Sequence, residues 1–317
     1  DTLYFGGGTP SRLGGAGVAR LIDVVRERAT LAAGAEVTIE ANPEDISQDA
    51  ARAWRDAGVN RLSIGAQSFD DTVLQWMHRT HDAAAIARAV EVARAAGIEN
   101  YSLDLIFALP ESITRVWERD VERALELQPS HLSLYGLTIE PHTPFGRWQA
   151  RGELQETPEE RYEREFLHAH EALAAAGFEH YEVSNFGRPG SHSRHNSAYW
   201  TGVSYGGIGP SAHEFDGEIR RWNVAAYVEW GRRVAAGEDP IADSERLSAQ
   251  SRVAEDVYLG LRTIRGLSLD GKELARVERW VNAGWGRLSG DGNLALTPEG
   301  WLRLDALAAD LTLLRSR

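Results

Sequence analysis

Tyr4-Phe5-Gly6-Gly7-Gly8-Thr9-Pro10 is the stretch on which the fold turns. A short run of strand-forming residues, Thr2–Phe5, ends in three glycines, then Thr-Pro, then a helical pattern. Glycines at a strand end let a ligand approach the backbone and turn N–H groups toward an anion. A turn that needs positive φ is the structural alternative.

Outward from that stretch, further apolar runs predict strands at 36–40, 61–65, 101–107, 131–137 and 179–184. Between most of them lie segments with apolar residues three and four apart, at 16–28, 83–96, 117–127 and 158–175. That period is helical. Strands alternating with helices imply parallel βα units and an α/β fold. Gly58, Gly97 and Gly177 follow three of the helical stretches, where a left-handed C-terminal residue is favoured.

Polar residues gather in or after these strands: Gly7, Gly8 and Thr9; Glu40 and Asn42; Gln67 and Ser68; Asp104; Tyr135 and Thr138; Glu182 and Asn185. A closed or nearly closed barrel brings all such ends to one face. A doubly wound open sheet would place the site at a strand-order switch. Periodicity alone is compatible with both.

The rest of the chain reads differently. Gly237-Glu238-Asp239-Pro240 has the composition of a linker. After it the pattern predicts helices near 252–263 and 272–282, a hairpin at 287–296, and a helix over 298–314 with Thr297 as N-cap. Helix, helix, hairpin, helix is winged-helix-like, and the domain boundary is placed between 222 and 223. Residues 241–317 carry 11 Lys/Arg and 11 Asp/Glu, so this module lacks a basic nucleic-acid footprint. The net charge of −13 argues the same way for the whole chain. The 317 residues suit one large α/β unit with a small appended domain. No apolar run is long enough for a membrane span. With zero cysteines, disulfides and in-chain thiolate ligands are excluded, which fits a cytoplasmic location.

Several side chains could carry chemistry. Glu40 suits an ammonium or ribose hydroxyls, or else caps the next helix. Gln67 could read an amide or carboxylate edge, with Ser68 or Asp70 as helix caps. Asp104 lies inside an apolar strand, where an acid needs a partner or a ligand. Arg79 is the chemical candidate for that partner, and a structural ion pair is the plain alternative. In Arg194-His195-Asn196-Ser197-Ala198-Tyr199-Trp200 an imidazole is followed by two flat aromatic faces, a combination suited to haem. Tyr205 to His213 is a glycine-rich loop with a second histidine.

Together, the Gly-Gly-Gly-Thr-Pro start, Ile39-Glu40-Ala41-Asn42-Pro43, Gly65-Ala66-Gln67-Ser68-Phe69, Asp104-Leu105-Ile106 and the His-Asn-x-x-Tyr-Trp motif resemble the HemW haem chaperones. These are relatives of oxygen-independent coproporphyrinogen III oxidase among the radical S-adenosylmethionine (SAM) proteins. The resemblance runs along essentially the whole chain. It implies a partial (β/α)6 barrel with SAM across its strand ends, and a winged-helix-like C-terminal domain. Gly7, Gly8 and Thr9 match positions that meet the methionine moiety, and Glu40, Gln67, Arg79 and Asp104 match other SAM-contacting positions. His195 is the implied haem-binding residue, with Tyr199 and Trp200 beside it. The implied activity is delivery of haem to acceptors such as respiratory enzymes. Porphyrinogen decarboxylation, and SAM binding without catalysis, remain alternatives. The family holds a [4Fe–4S] cluster on three cysteines, and this chain has none. It is therefore expected to be a fragment lacking the first strand and cluster loop, without cluster-dependent SAM cleavage.

Overall fold

The computed structural model describes residues 1–139, 144–152 and 154–316, and the chain divides into two compact units, Asp1–His195 and Asn196–Arg317. The sequence reading carries its first domain to residue 222 instead.

The first unit is built on one seven-stranded sheet: β1 (Thr2–Phe5), β2 (Glu36–Ala41), β3 (Arg61–Gln67), β4 (Tyr101–Phe107), β5 (His131–Gly136), β6 (Glu179–Glu182) and β7 (Asn185–Gly187). Its order is β1-β2-β3-β4-β5-β7-β6, with the first five strands parallel. The sheet curls into a partial barrel. Helices α1 (Gly14–Arg28), α2 (Gln48–Ala57), α3 (Asp71–Trp76), α4 (Ala83–Ala95), α5 (Trp117–Glu126), α6 (Pro144–Ala150) and α7 (Glu159–Ala175) come between strands, and α8 (Arg194–Trp200) follows β7.

Alternation along the strands gives the sheet two unlike faces. Val37, Ile39, Leu62, Ile64, Leu103 and Leu105 form one, and all are buried. This face packs as a core under the helices. The other face carries Tyr4, Glu40, Arg61, Ser63, Ser102, Asp104, His131 and Ser133. The interior of this barrel is therefore polar, unlike the layered aliphatic filling of a complete (β/α)8 barrel. Strand-to-strand register sets Ser63 beside Ser102 and Asp104 beside Ser133.

The expected sixth strand needs correction. The chain at 179–184 does not extend the parallel sheet as one strand. It turns at Val183-Ser184, and β7 returns antiparallel between β5 and β6. The Glu182 carboxylate accepts from the Ser184 N–H and the Asn185 amide, which closes this tight turn. Hence β6 does not pair with β5, although it runs in the parallel direction.

The second unit holds α9 (Tyr227–Ala236), α10 (Ala249–Arg262), α11 (Leu274–Asn282), α12 (Pro298–Trp301) and α13 (Leu304–Arg315). It also holds β8 (His213–Phe215), β9 (Ile219–Asn223), β10 (Ile241–Arg246), β11 (Leu267–Ser268), β12 (Gly286–Leu288) and β13 (Asn293–Leu296). The stretch from Gly237 to Pro240 is no linker. Gly237 ends α9 in the left-handed conformation, and the chain runs directly into β10, which pairs with β9. The expected hairpin is present as β12–β13, with β11 added on its far side. Thr297 caps α12 by accepting from the Gly300 N–H. The expected final helix is broken at Leu302-Arg303, where α12 stops and α13 begins. Leu304, Leu307 and Leu311 of α13 are buried as the stripe implied.

Candidate functional site

β1 delivers its glycines to the carboxyl edge of the sheet. Gly7 and Gly8 adopt φ of 75° and 55°, where a side chain is strained. A Cβ at Gly6 would lie 2.5 Å from the Tyr4 ring and 3.0 Å from Glu40 Oε1. Glu40, near the end of β2, holds this turn. It accepts from the Tyr4 hydroxyl at 2.7 Å and from the Gly7 N–H at 3.0 Å. The carboxylate is committed to the glycine turn rather than to a helix cap.

Gln67 ends β3 at φ 66°, and the register with β4 shifts between Ile64 and Gln67. This bulge folds the amide back over Gly65, where a Cβ would sit 2.9 Å from Gln67 Nε2. A non-glycine residue in this region costs about 1–3 kcal/mol and persists where its surroundings over-determine it. Here the following residues are anchored: Ser68 Oγ and the Phe69 N–H both donate to Asp120 at 2.7 Å. Asp120 pairs with buried Arg115 at 3.2 Å, and Arg115 with Glu165 at 3.1 Å. Arg115 also donates to the Ile106 carbonyl, and Glu165 accepts from the Ala108 N–H. One buried ion network thus ties the ends of β3 and β4 to α5 and α7. Asp70 caps α3 by accepting from Thr72 and Val73 N–H groups.

Asp104 does not form the expected pair with Arg79. Its oxygens accept from Ser63 Oγ at 2.7 Å and Ser102 Oγ at 2.9 Å. Burial pushes its carboxyl up, against the serine bonds and the Arg61 charge. Arg79, beyond α3, is pulled down by burial, with Glu44 as the opposing charge. Register and alternation explain the substitution of partners: Ser102 lies two residues before the acid on the same face of β4, and Ser63 sits beside Ser102 on β3, so hydroxyls satisfy it.

Gly8, Thr9, Glu40, Gln67, Arg79 and Asp104 nevertheless line one recess of about 160 Å³. Gly7 stands behind it, bonded to Glu40. Tyr4, Ser63 and Gly65 were not singled out from the sequence as part of this site. They lie on β1 and β3, and only the register of those strands with β2 and β4 brings them to Glu40 and Asp104. The recess is smaller than the 300–1,000 Å³ of a site that encloses a whole drug-sized ligand. It suits one polar part of such a ligand, such as a sugar or an amino-acid end.

His195 sits elsewhere in the first unit. Its Nδ1 is 2.8 Å from Thr2 Oγ1, and its ring stacks on Tyr4 at 4.7 Å. Glu36 accepts from the N–H groups of Arg194 and His195, both at 3.0 Å, and so holds the start of α8. Burial pulls the His195 imidazole down, toward its neutral form. Tyr199 and Trp200 belong to the second unit. There they line a largely apolar cavity of about 880 Å³ with Tyr205, His213, Phe215 and Tyr258.

A curled, mostly parallel sheet with a glycine turn, two acids, a glutamine and an arginine at its carboxyl edge defines a radical-SAM half-barrel. The radical SAM superfamily model matches residues 1–127. The chain is 38% identical over 269 residues to Heme chaperone HemW of Lactococcus lactis, covering 85% of this chain and 70% of that one. It is 38% identical over 313 residues to Heme chaperone HemW of Mycobacterium tuberculosis, covering 98% and 80%. The solved structure of coproporphyrinogen III oxidase (HemN) from Escherichia coli, described as a radical SAM enzyme, superposes with a TM-score of 0.77 at 22% identity. That match covers 97% of this chain and 76% of the oxidase, and it shows the shared fold. The chain belongs to the HemW family of radical SAM proteins.

Membership implies SAM and a [4Fe–4S] cluster. The recess offers acceptors and donors that fit a polar portion of SAM. The cluster does not fit this chain: it has no cysteine, and no group of three or more His, Asp or Glu among the described residues could hold a metal ion. Among the described residues no helix is long and apolar enough to cross a membrane.

Proposed function

We propose that this protein is a haem chaperone, which binds haem and passes it to acceptor proteins such as respiratory enzymes in the cytoplasm. SAM is bound at the strand ends. The observation that carries the SAM half of this reading is the recess, where six residues picked from the sequence converge. Gly7 and Gly8 present backbone to the ligand, and Thr9 adds a hydroxyl. Glu40 and Asp104 accept from its ammonium or ribose hydroxyls. Gln67 and Arg79 meet its amide-like or carboxylate edges.

For the haem half, support comes from the His-Asn-x-x-Tyr-Trp motif and its setting. An imidazole oriented through Nδ1 by a second partner is the form in which histidine ligates metal through Nε2. His195 Nδ1 lies 2.8 Å from Thr2 Oγ1, which meets this condition in the tautomer with the proton on Nδ1, and burial favours the neutral ring. Tyr199 and Trp200 offer flat faces, and the cavity that they line has the size of a ligand site. Titrating haem into the full-length protein tests the reading. A Soret band should appear and weaken in His195→Ala. No band in the wild type would sink the haem reading, and an unchanged titration in the variant would remove His195 from it. The fold shared with the oxidase supports porphyrinogen decarboxylation as a second reading, which product formation from coproporphyrinogen III would favour.

A further inference from the structure

His131, at the start of β5, is fully buried and bonded at both ring nitrogens. Its Nε2 lies 2.7 Å from the Tyr181 hydroxyl, and its Nδ1 lies 2.8 Å from Ser102 Oγ. At the far end the Ser193 N–H donates to the Tyr181 oxygen at 3.2 Å. At the near end Ser102 donates to Asp104 at 2.9 Å. A continuous hydrogen-bonded path therefore runs from the backbone before α8, through the barrel interior, to the recess.

The two ends fix its direction. A backbone N–H can only donate, and an ionised carboxylate can only accept. Burial and the Arg61 charge hold the His131 pKa well below its ordinary value, so the ring is neutral and carries one proton. The Tyr181 hydroxyl uses its proton on Nε2, which places the ring proton on Nδ1. Nδ1–H then donates to Ser102, whose own proton is left for Asp104. With the ring proton on Nε2 instead, the Tyr181 hydroxyl would lose this acceptor inside the barrel, which is costly. Hydrogen bonds aligned in one direction also polarise one another.

We propose that His131, acting through Ser102 and backed by Tyr181, is a positioning residue that keeps Asp104 ionised and aimed at the recess as an acceptor. This rests on the reading that the recess binds SAM. The charged and titratable groups around Asp104 are Tyr4 on β1, Glu40 on β2, Arg61 on β3, His131 and Tyr135 on β5, Glu182 on β6, which acts with Asp104 on Tyr135, and Arg79, which lines the same recess. Burial holds both tyrosines in their neutral, protonated forms. Arg61 is buried with no hydrogen-bond partner at its Nε, and forms no ion pair with Asp104 among the described residues. The serine hydroxyls are thus the direct support for the acid's charge. Without the relay, Ser102 can turn to Ser133, 3.2 Å away, and Asp104 loses the Ser102 donor, keeping Ser63 and Ser133.

The test is the SAM dissociation constant of the full-length protein from pH 5 to 9, in the wild type, His131→Phe, His131→Asn and Tyr181→Phe. His131→Phe should bind at least tenfold more weakly at pH 7 and approach the wild type by pH 9, because Asp104 there takes up its proton at higher pH. Tyr181→Phe, which removes one oxygen, should shift the same way by a smaller factor. His131→Asn retains an amide N–H near the Nδ1 place and should recover most of the affinity. A loss that is equal at every pH, or an Asn variant no better than Phe, would overturn the relay. Wild-type binding with all three variants unaffected would do so as well. No SAM binding by the wild type at any pH would overturn the SAM reading and this inference together.

Discussion

Removing Arg115 should unsettle the half-barrel more than any single change on its surface. The guanidinium is fully buried, within 3.2 Å of Asp120 and 3.1 Å of Glu165, and it caps the Ile106 carbonyl. Arg115→Met keeps much of the volume and leaves two buried carboxylates without this cation. Breaking a buried pair in this way costs about 3–5 kcal/mol. Glu165 keeps Arg161 at 2.7 Å, so about 4 kcal/mol is the reasonable centre for this site. The deficit must also depend on pH. Burial already pushes the Asp120 carboxyl up, and losing the cation raises it further. A folded-state carboxyl pKa above the unfolded value means that the folded state binds more protons between the two. Stability of the variant then rises as pH falls through the folded pKa. Urea unfolding followed by circular dichroism at pH 8 and pH 5 should show the full deficit at pH 8 and a smaller one at pH 5. Adding Asp120→Asn and Glu165→Gln should recover part of it. A deficit below about 1 kcal/mol, the range of an exposed pair, or one equal at both pH values, would refute the reasoning.

Two other outcomes follow from the same interior. His180 is pushed down to about 3, and His131 well below its ordinary value, both by burial. The unfolded state then binds more protons below about pH 6.5, so stability is lost as pH falls, by about 1.4 kcal/mol per pH unit for each histidine. Urea midpoints between pH 6.5 and 5 should fall, and less so in His180→Phe; a flat profile would count against buried neutral histidines. Gly65→Ala places a Cβ against the far end of the Gln67 side chain, 2.9 Å from its nitrogen. The thermal midpoint should hardly move, while calorimetry shows weaker SAM binding; wild-type affinity would mean that Gln67 is not placed as described.

Much of this was readable from the chain, for reasons that differ by region. Four of the first five strands begin and end within a residue or so of the expected limits, because their apolar runs stop at glycines and polar residues. The β3 end, with Gln67, runs two residues further, through the bulge. The residues that line the recess were legible because strand ends in parallel βα units meet at one edge. The Asp104 partners were not, since they depend on the register of β3 and β4. The β6–β7 turn escaped because a strand that reverses after four residues has the same composition as one that continues. β8, β9 and β10 escaped because β9 and β10 are short and mostly polar or half-exposed, with little apolar alternation to read. The setting of His195 against Thr2, Tyr4 and Glu36 rests on long-range contacts that no local pattern reveals.

Handover of haem is the most direct measurement. Full-length protein loaded with haem would be mixed with an apo-haemoprotein and the spectrum of the acceptor followed. The Soret band should pass from this protein to the acceptor, with less haem to pass in His195→Ala. Haem that never binds, or that binds and stays while the same protein converts coproporphyrinogen III to a decarboxylated product, would contradict it.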